Sequence, residues 1–170
     1  MSRPDTKTAK AEYGLDVNMS DFEIYPSAFT RDYCKQAFES GTLKFLHDRL
    51  WSFQFIRCID VSNLGIGDDG FIELCKGLNK CPVETLVLTS NKLSDKGMLE
   101  FAKIWRSMMR LRYLYLTDNW FTDVAIESML HTTHYSPTLK HINLSQNKIG
   151  VRTALMIGMM FLDERVAQVN

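Results

Sequence analysis

The chain has 170 residues, 45% apolar and 24% charged, a balance that suits one folded domain with a real core and excludes disorder throughout. Twenty basic residues offset twenty acidic ones, so no global field draws nucleic acid, an anionic membrane or an acidic substrate, and any partner is recognised locally. The cysteines Cys34, Cys58, Cys75 and Cys81 form no CxxC pair, which points to free thiols in a reducing compartment rather than to disulfides or a zinc site.

Residues 1–26 are polar, lack a period and contain Pro4, Gly14 and Pro26, so they read as an extended N-terminal arm. An arm of this composition becomes ordered where something holds it, and the expected holder is another chain, the alternative being that the arm folds back on its own solenoid. It has no apolar stretch of the length a secretory signal needs, and Asp5 and Glu12 run against an organelle transit peptide. The longest apolar run, "ALMIGMMFL", is far short of the roughly 20 residues that cross a bilayer. An intracellular, cytoplasmic protein without a membrane span is therefore expected, with a mitochondrial address left open.

Residues 27–52 read as a helical cap. In 29–40, Phe29, Tyr33 and Ala37 share one side with Cys34 and Phe38 beside them, and "TLKFLHDRLW" places Thr42, Leu43, Leu46 and Leu50 at helical spacing. No strand is expected ahead of this second helix.

Residues 53–152 repeat. The units run Ile56, Ile59, Val61, Leu64, Ile66; then Val83, Leu86, Leu88, Asn91, Leu93; then Leu111, Leu114, Leu116, Asn119, Phe121; then Leu139, Ile142, Leu144, Asn147, Ile149, with first residues 27, 28 and 28 apart. After the first three comes a turn and an acidic helix start at Asp68, Asp95 and Asp123, which suits the positive end of a helix dipole. A stripe at i, i+4 follows, apolar except at Thr133: Leu74 and Leu78, Phe101 and Trp105, Met129 and Thr133, Ile157 and Phe161. A strand pattern thus gives way to a helix pattern in every unit.

The spacing LxxLxLxxNxL resembles the leucine-rich repeat, and its period resembles the ribonuclease-inhibitor type. That resemblance implies an α/β fold: a short solenoid of about four strand-helix units with a parallel concave sheet and convex helices, here with a helical N-terminal cap and an extended arm. Asn91, Asn119 and Asn147 are expected to form a ladder that pairs inward-turned backbone groups where the chain leaves each strand, a scaffold role. Leu64 takes the asparagine's place in the first unit, so the ladder starts one repeat late.

The C-terminal helix, 153–170, carries one stripe of Ala154, Ile157 and Phe161 in the core register and a second of Leu155, Met159, Leu162 and Val166. The second stripe either lies over the open end of the stack or docks against another protein. No strand follows "LKHINL", which leaves an edge.

Between the leucines, alternate residues face outward in columns: Cys58, Thr85, Tyr113, His141; then Asp60, Val87, Tyr115, Asn143; then Ser62, Thr89, Thr117, Ser145. Tyr113 and Tyr115, with His141 beside them, either anchor a partner or stack on one another, and the first is the expectation taken forward. Trp120 stands where neighbouring units have Lys92 and Lys148, and either anchors a partner or covers the adjacent turn. Arg106, Arg110 and Arg112 read as a solvated helix end.

No GxxxxGK[ST] loop, GxSxG elbow or HExxH pair is present, and His131 and His134 lack a third ligand. No enzyme activity and no cofactor are expected. The family resembled commonly serves as an interaction module, so the expectation is a protein-protein interaction scaffold bound to other protein subunits, with neither nucleic acid nor a small-molecule substrate. By analogy it would be a structural subunit of a ciliary, cytoskeletal or organellar assembly. The alternative is a regulator of an enzyme, such as a GTPase activator or a nuclease inhibitor.

Overall fold

The computed structural model describes residues 28–29, 34–35, 56–79, 81–132 and 138–167; of the helix that ends the described chain, side chains are described through Met159. The expected arm, 1–26, and the second cap helix, 42–50, lie outside these residues, as do the side chains of Phe161, Leu162 and Val166.

Each repeat becomes a three-residue strand followed by a helix. The strands are β2 (Cys58–Asp60), β3 (Thr85–Val87), β4 (Tyr113–Tyr115) and β5 (His141–Asn143), and the helices are α1 (Gly67–Leu78), α2 (Asp95–Trp105), α3 (Asp123–Thr132) and α4 (Val151–Ala167). The strands are short because only their central residue points into the core, with Ile59, Leu86 and Leu114 fully buried and their neighbours turned outward. Pairing is parallel throughout, and its register, Cys58 to Thr85 to Tyr113 to His141, is that of the sequence columns.

One element departs from expectation. Ala28–Phe29 is a strand, β1, which pairs in parallel with β2 through Ala28 to Cys58 and Phe29 to Ile59, so the sheet has five strands in the order β1-β2-β3-β4-β5. Phe29 therefore belongs to the sheet and not to a cap helix, though Cys34 and Lys35 beyond it are helical. Without β1 the edge of β2 would leave backbone donors and acceptors unpaired. Two residues are too few for a period to reveal.

The core is a spine shared by successive units. Val61, Leu88 and Leu116 are buried beneath the strands' ends, and Leu93 and Phe121 follow them. Phe71, Phe101 and Met129 cover this spine from the helices, with the rings of Phe71 and Phe101 5.6 Å apart and Trp105 edge-on to Phe101 at 5.4 Å. Each such side chain contributes about 1.5–3 kcal/mol through area withdrawn from water.

Two hydrogen-bonded ladders hold the turns. Asn91 Oδ1 accepts from Leu64 N (3.2 Å) and Ile66 N (3.3 Å), while its Nδ2 donates to the carbonyls of Val61, Leu88 and Thr89. Asn119 repeats this on Asn91 N and Leu93 N, and Asn147 on Phe121 N. The first asparagine thus reaches back to serve the turn at Leu64 that has none. The residues before the rungs, Ser90, Asp118 and Gln146, and Asn63 before Leu64, take a left-handed conformation with φ between 54° and 58°. That conformation aims the following side chain into the stack.

The second ladder is made by the aspartates. Asp68 Oδ1 accepts from Ser94 N at 2.8 Å and Gly97 N at 3.1 Å, Asp95 Oδ1 from Thr122 N at 2.8 Å, and Asp123 Oδ1 from Gly150 N at 2.8 Å. Each carboxylate sits in the first turn of its own helix and also caps the next one.

Candidate protein-binding surface

The strands turn their outer residues to one open face, and the aromatic residues lie on β4 and β5. Tyr113 is 39% exposed, Tyr115 is half-buried and His141 is exposed. The β4–β5 register sets His141 opposite Tyr113, yet its ring packs diagonally on Tyr115, with centroids 5.2 Å apart at 44°. That diagonal contact fixes Tyr115 and leaves Tyr113 freer, so the face offers a fixed aromatic pair beside a large exposed ring.

Asp60 and Asn143 stand at the two ends of the second column, and each serves its own turn. Asp60 Oδ1 accepts from Ser62 N at 2.9 Å and Asn143 Oδ1 from Ser145 N at 3.0 Å. Asp60 is thus partly spent as a contact for a partner. Cys58 shares the face, and its thiol is pushed above the ordinary range first by burial and then by the Asp60 carboxylate, which makes it a poor nucleophile at neutral pH.

The row preceding the outward columns is Arg57, Glu84, Arg112 and Lys140. Arg57 Nε lies 3.5 Å from Glu84 Oε1, and Arg112 and Lys140 are exposed. The aromatic end of the face is therefore also its basic end, a charge pattern that the zero net charge conceals.

Trp120 is 54% exposed on the turn leaving β4, away from the tyrosines' columns, and its backbone N–H donates to Leu93 O at 2.8 Å. Val124, four residues on, is 63% exposed at the start of α3. On α4, Leu155 and Met159 are 64% and 66% exposed, while Thr153 is buried and Ile157 half-buried. Ala154, expected in the core register, is exposed. Its counterparts Met98 and Ile126 are buried, and the following helix that covers them in units two and three has no equivalent beside α4 among the described residues.

The aspartates' second role, capping the helix of the next unit, goes beyond the acidic helix start that the sequence suggests. The signal lay in the alignment, because Asp68, Asp95 and Asp123 hold one position and Val151 replaces them in the fourth unit. Among the described residues no group of three or more His, Cys, Asp or Glu is placed to hold a metal, and no described helix is long and apolar enough to cross a membrane.

With the parallel sheet, the outer helices and the asparagine rungs in place, residues 79–102 and 135–157 match the family model described as Leucine Rich repeat. Those two segments are leucine-rich repeats. The two matched segments cover the second and fourth units, and the leucine-rich repeat stack between them continues through the third with the same register and the same rungs. No curated protein matches the chain in sequence. Leucine-rich repeats commonly mediate protein-protein interaction, and it is the outward columns that vary while the spine is kept.

Proposed function

We propose that this leucine-rich repeat chain is a non-enzymatic scaffold that holds other protein subunits in an intracellular assembly, of ciliary, cytoskeletal or organellar kind. The observation that carries the reading is Tyr113, a large ring exposed on an open concave face beside the packed Tyr115 and His141 pair. Rigid aromatic side chains give contact area at little rotamer cost and are enriched where interfaces concentrate their energy. Trp120 supplies a second exposed aromatic on the flank. A regulator of an enzyme would draw on an acidic concave face, and Asp60 already gives an oxygen to the Ser62 N–H.

The test is affinity capture with the full chain in its native cell, compared with Tyr113→Ala, Tyr115→Ala and the double variant. The expected outcome is a reproducible set of bound proteins that the double variant retains at least about tenfold less well, while its thermal unfolding matches the parent within a few degrees. An unchanged set with the double variant would remove the concave face from the function. Accelerated GTP hydrolysis or nuclease inhibition by the purified chain would replace the scaffold reading with the regulator.

A further inference from the structure

Units one to three give the following unit a finished contact, and among the described residues nothing takes the same groups of unit four. The carboxylates of Asp68, Asp95 and Asp123 reach forward onto Ser94, Thr122 and Gly150, whereas their counterpart Val151 is 77% exposed. The carbonyls of Arg57, Glu84 and Arg112 accept N–H groups from the next strand, and Val61, Asn63, Leu88, Ser90, Leu116 and Asp118 donate theirs to it. The matching Lys140 carbonyl and the Leu144 and Gln146 N–H groups have no such partner among the described residues.

The core breaks off at the same place. Leu86, Leu88, Leu114 and Leu116 are fully buried, and Ile142, Leu144 and Ile149 are only half so. Because Asp95 reaches forward from its helix, the flank bearing that position faces the next unit. On α4 this flank carries Val151, Ala154, Leu155 and Gly158, all exposed. Among the described residues an uncovered apolar flank and an unpaired strand edge therefore coincide.

Charge identifies the occupant. Between Glu127 and Asp163 the sequence holds no carboxylate, while Lys140, Lys148 and Arg152 remain. Lys140 and Lys148 are exposed, and Arg152, with 84% of its side chain exposed, lies 3.8 Å from Glu127 on the neighbouring helix and is also felt by the Asp123 carboxylate. A second copy turning the same end inward would oppose these cations to themselves. A chain rich in carboxylates would complement them.

We propose that the β5 end of the stack is a docking surface for a partner protein that adds an extended, acidic-flanked apolar strand as the sheet's next strand. This deepens the scaffold reading and rests on it. The added strand accepts from the Leu144 and Gln146 N–H groups and donates to the Lys140 carbonyl. Its carboxylates meet Lys140 and Lys148, and its apolar side chains cover Ile142 and the α4 flank at Leu155.

The full chain, labelled with nitrogen-15, is titrated with a synthetic peptide of alternating valine and glutamate, with a valine and lysine peptide as control. The glutamate peptide is expected to bind and to slow exchange of the Leu144 and Gln146 amides at least tenfold. Lys140→Glu with Lys148→Glu, and separately Leu155→Asp, weaken it at least tenfold; all three residues are exposed, so the fold tolerates the changes. Equal binding of the lysine peptide, binding that leaves those two amides unprotected, or no binding at millimolar peptide overturns the proposal. So does a dimer in sedimentation that Leu155→Asp dissolves, which gives the end to a second copy, or adsorption to phosphatidylserine vesicles that displaces the peptide. Tyr113→Ala leaves peptide binding unchanged, so loss of capture through the concave face and loss of strand binding at β5 are read separately.

Discussion

Asp95 clasps Thr122 across the boundary between two repeats: its Oδ1 lies 2.8 Å from the Thr122 N–H and its Oδ2 2.6 Å from the Thr122 hydroxyl. The same hydroxyl accepts from Val124 N at 3.3 Å, so one carboxylate orients the residue that caps α3. Asp95→Ala removes the acceptor for a partly buried amide and frees the cap, which is expected to cost about 1–3 kcal/mol. Urea denaturation gives the magnitude, and hydrogen exchange gives the place: faster exchange at Thr122 and Val124 before α1 is affected. Equal loosening in α1 and α3 would count against the clasp.

Gly97 lies inside α2, where alanine ordinarily stabilises by about 1 kcal/mol. Here the sign reverses. A Cβ at this site would stand 2.7 Å from Asp68 Oδ1 and 3.0 Å from the Phe71 ring. The carboxylate cannot simply swing away, since Ser94 N and Gly97 N both donate to that oxygen. Gly97→Ala is therefore expected to lower the denaturation midpoint, and the pair Gly97→Ala with Asp68→Ala to be less destabilised than the sum of the two. Additive losses would show that the contact relaxes elsewhere.

What the sequence made legible was whatever repeats. Leu86, Leu114 and Ile142 recur at a fixed interval, and so do the outward residues beside them, so spacing alone gives the register and the column containing Tyr113 and His141. β1 escaped because two residues carry no period, and pairing with β2, a long-range contact, decides their conformation. Ala154 escaped for a related reason: its position is buried in units two and three only by the helix that follows, so the same register means core inside the stack and surface at its end. The pairing of His141 with Tyr115 rather than with Tyr113 depends on ring orientation, which spacing does not encode.

The asparagine rungs are unequal, and their burial predicts the order. Asn119, 3% exposed, accepts from Asn91 N and Leu93 N and donates to the carbonyls of Leu88, Leu116 and Thr117. Asn119→Ala strands two buried amides, each costing about 1–3 kcal/mol, and total losses of about 3 kcal/mol are expected. Asn147 is half-exposed at the open end, where water replaces part of what is lost, so Asn147→Ala is expected to cost about 1 kcal/mol. Chemical denaturation of the two variants side by side decides it, and an equal loss would mean that burial does not set the value of a rung.

Burial also gives the chain an alkaline limit. The Cys75 thiol is pushed up to about 12 by burial and then by the Glu100 carboxylate, and the Cys81 thiol up to about 11 by burial against the easing effect of the Val83 backbone. In the unfolded chain both fall back to 9.0. Below that value both states hold the proton, and the contribution of each site is fully present. As pH rises past it the unfolded chain releases protons that the fold retains, so stability declines, on the order of 1 kcal/mol per thiol by about pH 10. Melting at pH 8 and pH 10 is expected to show the decline in the parent chain and a shallower one in Cys75→Ala and Cys81→Ala, although both variants start lower. Thiol labelling at pH 8 gives an independent reading: Cys58, half-buried on the concave face, reacts first, and fully buried Cys34 waits for unfolding. Equal labelling rates for Cys34 and Cys58 in the folded chain would show that burial does not protect the first of them.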